Sequence, residues 1–95
     1  MSMKDEYVQK LKAQMDQWNA EIEKLKAKAD GAEAEAKIAY LEQVEQLRKE
    51  QLEATEKLNE LQNASETAWE DLKAGVESSW DSLGSAMKKA ASRFQ

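Results

Sequence analysis

Carboxylates are the most abundant reactive groups in this chain: 19 Asp and Glu stand against 14 Lys and Arg, for a formal charge of −5. Some fall close together, as Glu33 with Glu35 and Glu42 with Glu45. Paired carboxylates perform acid–base catalysis when a concave, partly desolvated site pulls their pKa values apart. Here they alternate with lysines and amides along what reads as a solvated helix face, which offers neither condition. Asp30-Gly31 supplies two residue types of a calcium loop without its fixed offsets. Cysteine and histidine are absent. Their absence removes thiol and imidazole catalysis, the usual zinc and haem ligands, and disulfides. The expectation is a non-enzymatic protein with no catalytic, cofactor-binding or metal-binding residues and no cofactor.

The other residues of consequence are Trp18, Trp69 and Trp80, which fall on apolar stripes at helical spacing. Such tryptophans serve as core or interface residues, or as anchors at a membrane surface. Basic residues are interleaved with acids, whereas phosphate neutralisation needs them clustered, so no nucleic-acid partner is expected. The segment Met1-Ser2-Met3-Lys4-Asp5-Glu6 has no apolar core of a secretory signal. No apolar run approaches the 18 or so residues of a spanning helix. A cytoplasmic location is the default, with association at the membrane periphery as an alternative.

The elements that carry these residues are helical. Proline is absent, glycine occurs three times and charged residues make up 35%; a β fold would lack its turn signals, and the composition fits long helices. Val8, Leu11, Met15, Trp18, Ile22, Leu25, Ala29, Ala32 and Ala36 alternate in steps of three and four, an unbroken heptad seam. Beyond a four-residue stutter the seam continues through Tyr40, Val44, Leu47, Gln51, Ala54, Leu58 and Leu61. Gln51 at a seam position forms either a solvated layer or a polar layer that fixes register. Acid-before-base pairs such as Glu6–Lys10 and Glu53–Lys57 each add roughly 0.2–0.5 kcal/mol to an exposed helix. The one candidate break is Asp30-Gly31. Because the heptad phase is kept across it, the pattern favours a continuous helix from about residue 4 to about residue 62, roughly 85–90 Å long. If Gly31 is a turn, a three-helix bundle follows.

Asn63…Glu66 and Thr67…Glu70 are overlapping capping boxes that open a further helix. Within it Ala68-Trp69-Glu70-Asp71-Leu72 returns eleven residues later as Ser79-Trp80-Asp81-Ser82-Leu83, and again, degraded, as Ala90-Ala91-Ser92-Arg93-Phe94. Eleven residues make three turns, so Trp69, Leu72, Val76, Trp80, Leu83, Met87, Ala91 and Phe94 share one face. Acids lie early in this segment and Lys88, Lys89 and Arg93 late, which complements the helix dipole or gives a basic tip for an anionic surface.

The eleven-residue repeat over 66–95 resembles the lipid-binding helices of exchangeable apolipoproteins. Over nearly its full length the chain also resembles a group of short bacterial coiled-coil proteins of unassigned function. The likeness rests on Met3-Lys4-Asp5-Glu6-Tyr7-Val8, Gln17-Trp18-Asn19-Ala20-Glu21-Ile22, Trp69-Glu70-Asp71-Leu72-Lys73-Ala74-Gly75 and Ala91-Ser92-Arg93-Phe94. It implies a bacterial helical protein, cytoplasmic or envelope-associated, and implies no activity.

The sequence thus predicts an all-α protein: a heptad coiled-coil helix over 1–62, a break over 63–67 and an amphipathic helix over 68–95, arranged as a hairpin or an extended rod in an oligomer, with a three-helix bundle as the alternative. Val8, Leu11, Met15, Trp18, Ile22, Leu25, Val44, Leu47, Leu58 and Leu61 are expected to carry homo-oligomeric self-association. The C-terminal face of Trp69, Leu72, Val76, Trp80, Leu83, Met87 and Phe94 is expected to serve packing, assembly with a protein partner, or binding to an anionic membrane surface. A fold-back at 63–66 would set Trp69 near Leu58 and Leu61, and Trp80 near Val44 to Leu47.

Overall fold

A narrow apolar stripe has to be covered, and this chain covers its stripes with itself. The computed structural model describes residues 2–93, which form three helices: α1 (Met3–Asp30), α2 (Ala34–Gln62) and α3 (Trp69–Arg93). They run up, down and up in a bundle of 51 × 19 × 18 Å. The all-α expectation holds, and of its two arrangements the chain takes the three-helix bundle. The continuous helix over 1–62 is not formed, because residues 31–33 turn the chain back. Phase continuity could not reveal this: α1 and α2 present the same seam whether they are joined straight or folded against each other.

The first turn is made without any left-handed residue. Gly31 stays in the right-handed helical region, at φ −89° and ψ −1°. Its N–H donates to Ala27 O, and Ala32 N–H donates to Ala29 O. Glu33 turns to extended backbone (φ −68°, ψ 157°) and starts α2 with no side-chain cap. The other helix starts are capped. Ser2 Oγ accepts from Asp5 N–H, and Ser65 Oγ accepts from Ala68 N–H. Ser65 therefore takes the capping role expected of Asn63 or Thr67, while Asn63 ends α2 in helical backbone. Exposed C-terminal carbonyls favour a nearby cation, yet the last turn of α2 has no basic residue of its own. Lys4 of α1 supplies it, donating to Ala64 O at 2.8 Å and Gln62 O at 3.2 Å.

One core runs the length of the bundle. α1 contributes Val8, Leu11, Ile22, Leu25 and Ala29; α2 contributes Val44, Leu47, Ala54, Leu58 and Leu61; α3 contributes Trp69, Val76, Trp80, Leu83, Met87 and Ala90. Among the described residues no polar or charged residue is fully buried. Register between α1 and α2 comes instead from a half-exposed polar cluster. Arg48 pairs with Glu23 and donates to Asn19 and Gln51, and the Gln51 amide donates to Asn19 Oδ1 at 3.2 Å. Gln51 thus forms a half-exposed polar layer with Asn19 and Arg48 rather than a buried one.

On α3 the eleven-residue reading needs one correction. Leu72 is exposed at 36% and Ala91 is exposed, while Ala90 is fully buried. The buried positions 69, 76, 80, 83, 87 and 90 follow steps of seven, four and three, because this face packs along two neighbouring helices in heptad phase. Lys73 takes the remaining heptad place, half-buried. Phe94 lies outside the described residues.

Gly75 tests this helix. A Cβ there meets nothing within 4 Å, and glycine costs a helix interior about 1 kcal/mol relative to alanine. Gly75→Ala should therefore stabilise the bundle by up to about 1 kcal/mol, raising Tm by roughly 4–8 °C in a domain of this size. A thermal melt followed by circular dichroism checks it, and an unchanged or lower Tm would contradict the open environment described.

Candidate functional site

The most distinctive side chains converge on the seam between the parallel helices α1 and α3. Tyr7 meets Trp69 with ring centroids 5.9 Å apart, and Trp18 meets Trp80 at 5.9 Å, both pairs tilted by about 40°. The spacing from Tyr7 to Trp18 equals that from Trp69 to Trp80, eleven residues in each helix. Two parallel helices with the same aromatic period meet ring to ring at both levels. Tilted aromatic pairs add about 0.5–1.5 kcal/mol each beyond area burial. Large rings also act as spacers. The backbones of α1 and α3 approach closely at few positions, whereas α2 packs closely against both.

In the sequence the eleven-residue period stands out in α3 alone. The signal for its partner was present: Tyr7 and Trp18 are two of the three aromatics in the first half of the chain. A heptad description hid it, since eleven is also a sum of three- and four-residue steps.

The upper pair is the more polar. Tyr7 Oη donates to Glu77 Oε1 at 3.4 Å. Lys73 Nζ sits 5.2 Å from the Tyr7 ring centroid and 5.9 Å from that of Trp69, over the electron-rich faces. It also reaches Glu77 at 4.0 Å. Burial, followed by the field and hydrogen bond of Glu77 and the field of Asp81, pushes the Tyr7 phenol up from 10.0 to about 12. At the lower pair, Gly84 lies against the Trp18 indole, whose Cζ2 would stand in ordinary van der Waals contact, 3.6 Å, with a Cβ at that position. Beside it the seam opens into a shallow hollow of about 380 Å³ floored by Trp18 and Trp80 and edged by Gln14, Asp81 and Lys88. A further hollow of about 200 Å³ lies toward the helix ends, floored by Leu25, Met87 and Ala91, with Lys24 and Lys28 at its rim.

The residues expected to carry self-association occupy the interior of the single chain. Val8, Leu11, Ile22, Leu25, Val44, Leu47, Leu58 and Leu61 are buried, and Met15 and Trp18 pack against them half-buried. Of the expected α3 face, Trp69, Val76, Trp80, Leu83 and Met87 are buried in the same core, whereas Leu72 points outward. α3 thus docks antiparallel to α2: Gln46 and Glu50 share a hollow with Ser82 and Ala86, and Arg93 donates to Gln43 at 3.1 Å. The carboxylates Glu33, Glu35, Glu42 and Glu45 are all exposed. Among the described residues no group of three or more His, Cys, Asp or Glu stands close enough to hold a metal ion, and no helix is long and apolar enough to cross a membrane.

No family model matches the chain, and neither a curated protein nor a solved structure matches it.

Two outcomes test the seam. Trp80 is 8% exposed, and truncating a buried tryptophan costs about 3–5 kcal/mol; Trp80→Ala should lower urea stability by that order. A variant retaining only Trp80 as its fluorophore should resist acrylamide quenching, and an unprotected indole would refute the packing. Tyr7 gives a pH test. Its folded pKa is raised above its unfolded value, so the folded state holds the proton longer. The associated stability is full below about pH 10 and is lost as pH rises toward about 12. Urea denaturation should therefore weaken between pH 10 and 12, and Tyr7→Phe should weaken less over the same interval. Equal pH slopes in the two proteins would remove Tyr7 from the account.

Proposed function

We propose that the chain is a non-enzymatic assembly module whose working surface is its helix-pairing seam, and that it self-associates through coiled-coil pairing of α1 and α2. One observation carries this reading. α1 and α2 pair antiparallel along a heptad seam whose phase runs unbroken from residue 8 to residue 36 across the turn. A second copy offers the same seam, the same polar register cluster and the same spacing. In this reading the tryptophans of α3 supply packing mass, closing each pair of seams from one side.

A second reading draws support from the α1–α3 seam. That seam is the least closely packed of the three and carries one hollow beside Trp18 and Trp80, edged by Asp81 and Lys88, and a second edged by Glu21, Lys24 and Lys28. Partial release of α3 there would offer its tryptophans to an anionic membrane surface.

Sedimentation equilibrium of the intact chain across the micromolar range separates these readings when paired with a vesicle titration. Assembly requires a concentration-dependent rise in mass to a dimer or larger species. A constant monomer mass would overturn it. A blue shift of tryptophan emission with phosphatidylserine vesicles would support the second reading, and an unchanged spectrum would remove it.

A further inference from the structure

We infer that the second copy enters by exchange: the turn at residues 31–33 opens, α1 and α2 become one continuous helix, and α1 of each chain takes its place in the bundle of the other. The inference rests on the self-association reading above and specifies its geometry.

Four observations meet at this turn. The heptad phase passes through it as far as Ala36, and the stutter beyond keeps the Val44 stripe in line with the Val8 stripe on a straight 3.6-residue helix, so straightening the chain leaves the α1 and α2 seams on one face. No described residue has a positive φ, and Gly31 is already in helical backbone. The chain is turned largely by the extended backbone of Glu33, a conformation that costs little to give up. α2 begins without a side-chain cap, so its first N–H groups gain helical partners when the helix continues into α1. Finally, beyond the fully buried Ala29, the next seam positions around the turn are less covered: Ala32 is half-buried and Ala36 exposed. The other turn has the opposite character, with Ser65 capping α3 and Lys4 held on the carbonyls of Gln62 and Ala64.

Register sets the symmetry of the exchanged pair. In the closed chain Asn19 bonds Gln51, and Glu23 pairs with Arg48. The same pairing between two straightened helices relates them by a two-fold axis near residue 35. Ala32 and Ala36 then lie beside that axis, where small side chains allow close approach. Away from the hinge, the closed core is reproduced with α1 from one chain and α2 and α3 from the other, including the Tyr7–Trp69 and Trp18–Trp80 pairs. Since core contacts are conserved, the balance between closed and exchanged forms depends on the hinge and on protein concentration.

The test uses the absence of cysteine and a proline at Ala34. Ala34 is the first residue of α2, where proline is tolerated, and the preceding Glu33 already has the extended backbone that proline imposes on its neighbour. In a continuous helix the same proline removes a hydrogen bond and clashes with a carbonyl one turn earlier. Full-length Asn19→Cys and Gln51→Cys chains are mixed, unfolded, refolded together and treated with a short bis-maleimide, with sedimentation measured in parallel. Exchange predicts a covalent product joining residue 19 of one chain to residue 51 of another, and none joining 19 to 19. Adding Ala34→Pro to both chains should abolish that product and weaken dimerisation by roughly a hundredfold or more, while circular dichroism shows the closed bundle still folded. Dimers without the 19–51 product, or a product that survives Ala34→Pro, would overturn exchange and leave self-association standing. A monomer at every concentration would overturn both.

Discussion

A helix whose apolar residues occupy two positions in seven cannot shelter its own stripe, and the rest of this structure depends on that constraint. Each of the three helices is charged or polar on most of its surface, and each carries a stripe that water penalises. Hydrophobic burial pulls the stripes together without direction; the direction comes from how far each stripe extends and which side chains it contains. Ile22, Leu61 and Leu83 are fully buried and sit on α1, α2 and α3, so the core belongs to no single pair. Removing any one helix would leave the other two with a stripe half covered.

Within that constraint, details that contribute little energy decide the arrangement. The Arg48 cluster is partly exposed, and ion pairs in such settings contribute about 1 kcal/mol or less. Its importance is positional, since sliding α1 past α2 by one heptad would keep the apolar contacts but separate Arg48 from Glu23, Asn19 and Gln51. The aromatic pairs play the same part between α1 and α3. Their shared eleven-residue period admits one alignment in which both Tyr7–Trp69 and Trp18–Trp80 form. Lys73, charged yet lodged over two rings, shows why a polar residue can hold a heptad position where Leu72 does not: its stem packs and its ammonium meets both π faces and Glu77.

Much of this was legible in the sequence. The seam from Val8 to Leu61 marked the core residues of α1 and α2, and Trp69, Val76, Trp80, Leu83 and Met87 marked those of α3. The turn at Gly31 was less legible, because periodicity reports which face is apolar and is silent on whether a helix continues. The second turn was announced by the capping boxes at Asn63 and Thr67, yet the cap is Ser65 between them, which neither box named. Lys4 on the carbonyls of α2 could not have been found, since it joins residues 58 and 60 positions apart. The aromatic seam was half visible. Tyr7 and Trp18 carried the right spacing, but nothing in one helix says which helix will lie parallel to it.

The lysine that bridges α1 to the end of α2 gives the bundle a difference between its two poles. At the pole of residues 4 and 64, a side-chain bridge, a serine cap and a tilted aromatic pair hold all three helices together within a few turns. At the pole of residue 31, the small side chains of Ala29 and Ala90 are buried, a helix starts uncapped, and Arg93 donates to Gln43. Local opening takes the path of fewest buried contacts, so fraying starts at the alanine pole and meets rising resistance toward the lysine. The molecule therefore loosens along its axis as a zip loosens from its open end, with the fastened end set by a single residue near the start of the chain.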